Sequence, residues 1–330
     1  MITIAGNSPR AIKQFKHDLS LSYGIKDMGS LQWLLGIGIK RVREKRMISF
    51  SQTIYIQKII ECFGMEEAKP LSVLISPGHS LTKSQSPSDP KAIEEMRCIP
   101  YREAIGSLMY AVVRTQPDIA YAVTYLARFM ANPGHAHWEG MKCVIRYLKG
   151  TKDAKLILWK GGTLSWEELN YQIHSRMQGY SDANKNSQQH RHEISHYVFC
   201  IDGGAISWNS RKQALVSLST TESEYVAMMH TTKEALWIRM FLGEILCPLT
   251  KLILLYCDNQ SAIAVVKNDQ YHACTKHIDI CYHFICKLVA HNIVEIRYCP
   301  TNQMITDIFI KALPVKNFEA LQELLGVHLD

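Results

Sequence analysis

The chain has 330 residues, 47% of them hydrophobic and 20% charged, with a formal net charge of +7 and a sequence pI near 8.8. That length suits roughly two domains of about 150 residues, and the apolar fraction excludes a disordered or fibrous chain. The mild positive charge suits a polyanionic partner, no apolar run reaches the ~18 residues of a membrane span, and no secretory signal is present.

In chain order, residues 1–6 read as a strand. A helix follows, with Ser8 as N-cap, Pro9 at its first position, Ile12, Phe15 and Leu19 on one face, and Gly24 as its stop. Residues 33–42 and 48–50 read as strands paired across a turn at Arg43–Arg46, and residues 51–65 as an amphipathic helix. The Pro/Ser-rich segment 68–99 reads as a linker or loop. Helices are expected over about 100–114, 117–131 and 135–149, and a connector over 161–178.

From residue 179 the pattern is more regular. "GYSDA" ends a strand, and "SHYVFCID" and "GAISWNSRK" form a hairpin through Asp202-Gly203. A long helix spans about 220–246, then come a buried strand over 252–257, helices over 260–267 and 275–291, a strand over 293–299 and a final helix over 302–313. This order predicts an α/β fold, an antiparallel meander continued by helix crossovers into a mixed sheet. The ten cysteines lack C-x2-C spacing, so a zinc site is not expected and a reduced intracellular protein is.

Four carboxylates stand out by position. Asp182 and Asp258 end two apolar strands that the topology sets side by side, Glu224 (or Glu222) lies in the first turns of the long helix, and Asp307 lies in the last helix. Carboxylates held together repel one another. Two Mg²⁺ ions about 3.5–4 Å apart would offset that repulsion and assist phosphodiester cleavage, and Mn²⁺ suits the same oxygens. Each residue also has an ordinary reading: Asp182 in a turn, the glutamates at a helix N-terminus, Asp258 as an N-cap, Asp307 on a solvated face.

The ordered set resembles the C-terminal part of a copia-type LTR retrotransposon Pol polyprotein. Residues 179–330 resemble its ribonuclease H domain through "GYSDA", "GGAISWNSRKQALVSLSTTESEYVAM", "YCDNQSAIAVVKN", "TKHIDICYHFI" and "TDIFIKALP". Residues 1–150 resemble the end of its reverse transcriptase through "LLGIGIKR", "YREAIGSLMYAVVRTQPDIAYAVTYLARFM" and "HWEGMKCVIRYLKGT". The resemblance implies a ribonuclease H-like five-stranded mixed sheet with flanking helices, preceded by a palm remnant (1–67) and thumb-like helices (100–160). It implies Mg²⁺-dependent cutting of the RNA strand of RNA–DNA hybrids by Asp182, Glu224, Asp258 and Asp307, in the cytoplasm (a virus-like particle) or the nucleus, alongside other products of the element. Ser210, Arg211, Lys212 and Gln213, expected on an outgoing loop, and Asn259 and Gln260 are candidates for contact with the hybrid. Polymerisation is not expected, because the paired aspartates of the family would precede Met1. Residues 184–196 depart from the family pattern, with His196 where a glycine is expected, and this leaves a decayed binding module or a non-functional fragment as the alternative.

Overall fold

The computed structural model describes residues 2–6, 8–74, 81–159, 177–184, 193–213, 217, 219–245, 252–267 and 279–329. The 161–178 connector and the altered 184–196 segment lie largely outside these residues. In chain order the first part comprises α1 (Pro9–Ser22), β1 (Trp33–Leu34), β2 (Ile37–Val42), β3 (Met47–Ser51), α2 (Thr53–Cys62), α3 (Pro90–Arg97), α4 (Tyr101–Arg114), α5 (Ala120–Ala127), α6 (His135–Gly150) and β4 (Lys155–Trp159). The second comprises β5 (Gln178–Asn184), β6 (Ile194–Ile201), β7 (Gly204–Lys212), α7 (Thr220–Ile245), β8 (Ile253–Cys257), α8 (Gln260–Lys267), α9 (Asp279–Ala290), β9 (Val294–Tyr298), α10 (Val315–Leu324) and β10 (Val327–His328).

Several expectations fail, each for a local reason. Residues 2–6 form no strand, because no neighbouring strand meets their backbone. α1 starts as expected, with the Ser8 hydroxyl accepting from the Ala11 N–H at 3.3 Å, yet none of its residues is buried and Phe15 stays 50% exposed. Within the 68–99 segment a short 3-10 turn at Lys83–Gln85 and α3 are ordered, with Asp89 capping α3. The helix expected over 302–313 is two 3-10 segments, Thr301–Gln303 and Ile305–Phe309, because Met304 between them is extended. The apolar spacing of Ile305, Ile308 and Phe309 that suggested an α-helix also serves a 3-10 turn, where i and i+3 share a face.

The first sheet is antiparallel, in the order β1-β2-β3-β4-β10. The second, in the order β7-β6-β5-β8-β9, is antiparallel across β7-β6-β5 and parallel across β5-β8-β9. This is the mixed five-stranded sheet that the ribonuclease H resemblance implies. The β6–β7 hairpin turns through Asp202 (φ 50°) and Gly203 (φ 77°), the left-handed pair that a two-residue hairpin needs.

Each face of the second sheet has its own core. α7 and α9 cover one face, packing Tyr225, Met228, Ile238 and Ile285 against Phe199, Leu255 and Ile296. The other face, with Val198, Cys200 and Ala205, joins the core of α2, α4, α5 and α6 together with Ile308 and Phe309. The Trp208 indole N–H donates to the Val112 carbonyl across this join at 2.9 Å. α10 is tied to the first part by a buried cluster: Asp118 accepts from the Tyr147 hydroxyl at 2.6 Å and from the Gln322 amide at 2.8 Å.

The two sheets also meet through backbone. The Ala205 N–H donates to Leu325 O at 2.9 Å, and the Trp159 N–H to Asp202 O at 3.0 Å. A Cβ on Gly204 would lie 2.4 Å from Ile157 O, and one on Gly326 2.6 Å from Gly204 Cα, so the seam closes only between glycines. Gly204→Ala is expected to cost about 1–3 kcal/mol through overpacking. Chemical denaturation followed by tryptophan fluorescence measures it, and two separate transitions in the unsubstituted chain would show that the sheets do not share a core.

Candidate active site

Two parallel strands bring the first two carboxylates together. β5 and β8 run in register, with Gly179 opposite Leu255 and Tyr180 opposite Tyr256, and the two tyrosine rings stack at 5.1 Å. Asp182 and Asp258 each stand two residues beyond that matched pair, so both strands deliver them to the same edge. Gly179 makes the close approach possible, since a Cβ there would meet Leu255 at 2.5 Å and Phe199 at 2.6 Å.

Asp258 is not the cap of the helix that follows. The Asn259 side-chain oxygen takes that role, accepting from the Ala262 N–H at 2.9 Å. Asp258 is left half-buried at the strand tip, where its Oδ2 accepts from the Thr301 hydroxyl at 2.9 Å. Thr301 was not singled out from sequence, because a lone threonine in "CPTNQM" carries no signal without the fold.

Glu224 comes in from α7. Its carboxyl and that of Asp182 share a hydrogen bond, with Asp182 6% and Glu224 7% exposed. Burial and then Asp258 and Asp307 raise the Asp182 pKa from 3.8 to about 7. Burial and then the Asp182 charge raise that of Glu224 as well. Glu224 Oε2 is buried without a partner. Glu222 lies in the first turn, where its N–H is capped by the Ser219 hydroxyl at 3.2 Å. Asp307 approaches from the second 3-10 segment, close enough to raise Asp182, and is paired with Lys311 at 2.8 Å.

Around these, Cys257 contributes a buried thiol. Its Sγ and the Glu224 and Asp258 carboxylate oxygens all lie within 4.8 Å of one another. Burial and then Glu224, Asp258 and Asp182 raise its pKa strongly. His196, directly across from Asp182 in β6, is 1% exposed. Burial and then the Arg128 charge lower its pKa to about 3, so it is neutral.

The expected nucleic-acid contacts divide. Ser210, Arg211 and Lys212 lie in the end of β7 rather than on a loop, with the two cations exposed and Ser210 half-buried. Gln213 is 2% exposed. Its amide donates to the Ser195 hydroxyl and to Ser223 O, both at 2.9 Å, so it braces the turn of α7 that carries Glu224 and faces no solvent. Gln260 is exposed at the start of α8.

The arrangement fits divalent cations: hard oxygen donors, mutual repulsion without a counter-charge, and one orphaned buried oxygen. No described helix is long and apolar enough to cross a membrane. No family model matches the chain. The retrovirus-related Pol polyprotein from transposon TNT 1-94 of Nicotiana tabacum is 40% identical over 326 residues, 98% of this chain and 24% of that one. That from transposon RE1 of Arabidopsis thaliana is 32% identical over 332 residues, 99% of this chain and 21% of that one. Among solved structures, LC11-RNase H1 in complex with an RNA/DNA hybrid aligns at a TM-score of 0.31 and 10% identity, over 39% of this chain and 88% of that one. The chain spans about a quarter of the length of the curated relatives it matches, and over nearly all of its own length it is similar to retrovirus-related Pol polyproteins of plant transposons.

Proposed function

We propose that this segment is a ribonuclease H of a copia-type element, cutting the RNA strand of RNA–DNA hybrids, with Asp182, Glu224, Asp258 and Asp307 as its carboxylates. The observation that carries the reading is the buried Asp182–Glu224 pair beside Asp258, at the edge where two parallel strands end. In the alternative, a decayed binding module, that edge would retain no catalytic use.

Mg²⁺ or Mn²⁺, held by these four carboxylates, would supply charge stabilisation to the phosphodiester and lower the pKa of water. The residues do the remaining work. Asp182 and Asp258 sit on strands whose register is fixed, so little reorganisation is needed on binding. Thr301 holds the Asp258 carboxylate in one orientation by its hydrogen bond. Lys311 pairs with Asp307 at 2.8 Å and offsets its charge beside the other acids. Arg211 and Lys212, exposed at the end of β7, would meet backbone phosphates, and a hybrid would be read by its shape and 2′-hydroxyls.

On this reading Asp258→Asn lowers cleavage of a labelled hybrid on the order of 100-fold, the equivalent of a few kcal/mol of lost charge stabilisation. Thr301→Ala is expected to cost on the order of tenfold through weaker cation binding. A chain that leaves the hybrid intact with either metal rules the nuclease out and leaves the decayed module.

Arg211→Ala and Lys212→Ala are each expected to weaken hybrid binding without regard to sequence and to reduce the salt slope by about 1. Fluorescence anisotropy across a salt series reads this directly, and unchanged slopes would remove β7 from the contact surface.

The raised Asp182 pKa fixes a pH dependence. A carboxyl whose folded pKa lies above its unfolded value contributes stability that is complete below the unfolded pKa, near 3.8, and is lost as pH rises through the folded value, about 7. In chelator the melting temperature should fall between pH 4 and about pH 7, and Mg²⁺ should restore more of it at the upper end. Asp182→Asn should flatten the profile; differential scanning fluorimetry that finds the same slope in that variant would assign the effect elsewhere.

A further inference from the structure

We propose that Glu224, Cys257 and Asp258 form a binding site for one thiophilic divalent cation, of the Zn²⁺ or Cd²⁺ class. The inference deepens the proposed metal centre and rests on it for two of the three ligands, while adding a sulfur donor that a Mg²⁺ centre has no use for.

Three observations carry it. The donor atoms, one thiol sulfur and two carboxylate oxygens, lie within 4.8 Å of one another. A cation at the usual distances of about 2.3 Å to sulfur and 2.0–2.2 Å to oxygen would draw these donors closer together. Second, Glu224 is 7% exposed and its Oε2 has no hydrogen-bond partner, so the acid facing Cys257 holds an unused donor in a place where leaving one unmade is costly. Third, the site is built on fixed elements: Cys257 closes β8, paired on both sides, and the Asn259 N–H points at its sulfur at 3.4 Å.

Hard cations keep to oxygen ligands and waters, whereas thiolate ligands select softer ions. A Zn²⁺ or Cd²⁺ ion would therefore take Glu224 and Asp258 away from Mg²⁺ and use Cys257 as a third ligand, the thiol proton leaving to solvent. Three protein ligands leave a fourth position open. The same centre would then be emptied of its working cation by a scarce soft metal. No C-x2-C pair is involved; the sulfur and the carboxylates converge through the fold, which is why cysteine spacing gave no sign of it.

The test uses the full chain and Cd²⁺ alone as the probe. Cd²⁺ is titrated into the metal-free chain and into its Cys257→Ser variant, reading the ultraviolet thiolate-to-cadmium charge-transfer band, so that the remaining cysteines contribute equally to both. The expected result is a difference band saturating at one ion, with Cd²⁺ binding weakened at least about tenfold in the variant. Titrations that superimpose would overturn the proposal. If the variant does not fold, cadmium NMR of the unsubstituted chain decides: a resonance of mixed sulfur–oxygen ligation that Glu224→Gln removes supports the site, and one unmoved by Glu224→Gln overturns it. A chain that shows the band yet leaves a hybrid uncut with Mg²⁺ upholds this inference and sinks the nuclease reading. A chain that cuts the hybrid but shows no Cys257-dependent band does the reverse.

Discussion

Two carboxyl groups pressed together out of water dominate the second half of this molecule. Asp182 and Glu224 lie side by side in a place where neither can be fully hydrated, with Asp258 and Asp307 adding like charge. Such a cluster is unfavourable for folding unless something positive joins it. Left to flexible loops, the four acids would move apart. They are instead fixed by features with no chemistry of their own: the stacked Tyr180–Tyr256 pair, the bare Cα of Gly179, the Gln213 amide beneath α7, and Asn259, which caps α8 so that Asp258 need not.

The mount extends beyond the sheet that carries the acids. Asp307 sits on a segment whose Ile308 and Phe309 are buried in the same core as α4, α5 and α6. The face of β6 and β7 carrying Val198, Cys200 and Ala205 is covered by that core too. The helices that precede the second sheet therefore serve as its second wall, and the position of Asp307 depends on them. The exposed face of α1 has no such role among the described residues.

Legibility in the sequence followed the strength of the local pattern. The β6–β7 hairpin, α7 and the apolar β8 with its abrupt acid were readable because period and punctuation agreed. β4 and β10 were not: "KLILW" is a short apolar run that periodicity alone does not assign, and a two-residue strand has no period at all. The 3-10 segments around Met304 look like one helix in sequence, because i, i+3 spacing fits both. Of the candidate site, the acids stand out by their positions in strands and helices, with Glu222 left beside Glu224 as an alternative. Thr301 and Cys257 do not, since each gains its meaning from a partner far away in the chain. Gln213 misled for the opposite reason: a polar residue after a strand looks like surface, and here it is buried cross-bracing.

The seam between Gly204, Gly326 and Ile157 also has a bearing on how the chain comes to be made. The edge of β4 that β10 occupies belongs to a sheet begun near residue 33, yet its last strand leaves the ribosome only with residues 327–328. During synthesis that edge, with its unpaired amides and carbonyls, waits while the whole second sheet is translated. Unpaired edges of this kind invite association with other chains. The first half therefore stays unfinished until the second half is complete, and nascent chains interrupted before residue 327 would be the population a cell has to restrain from clumping.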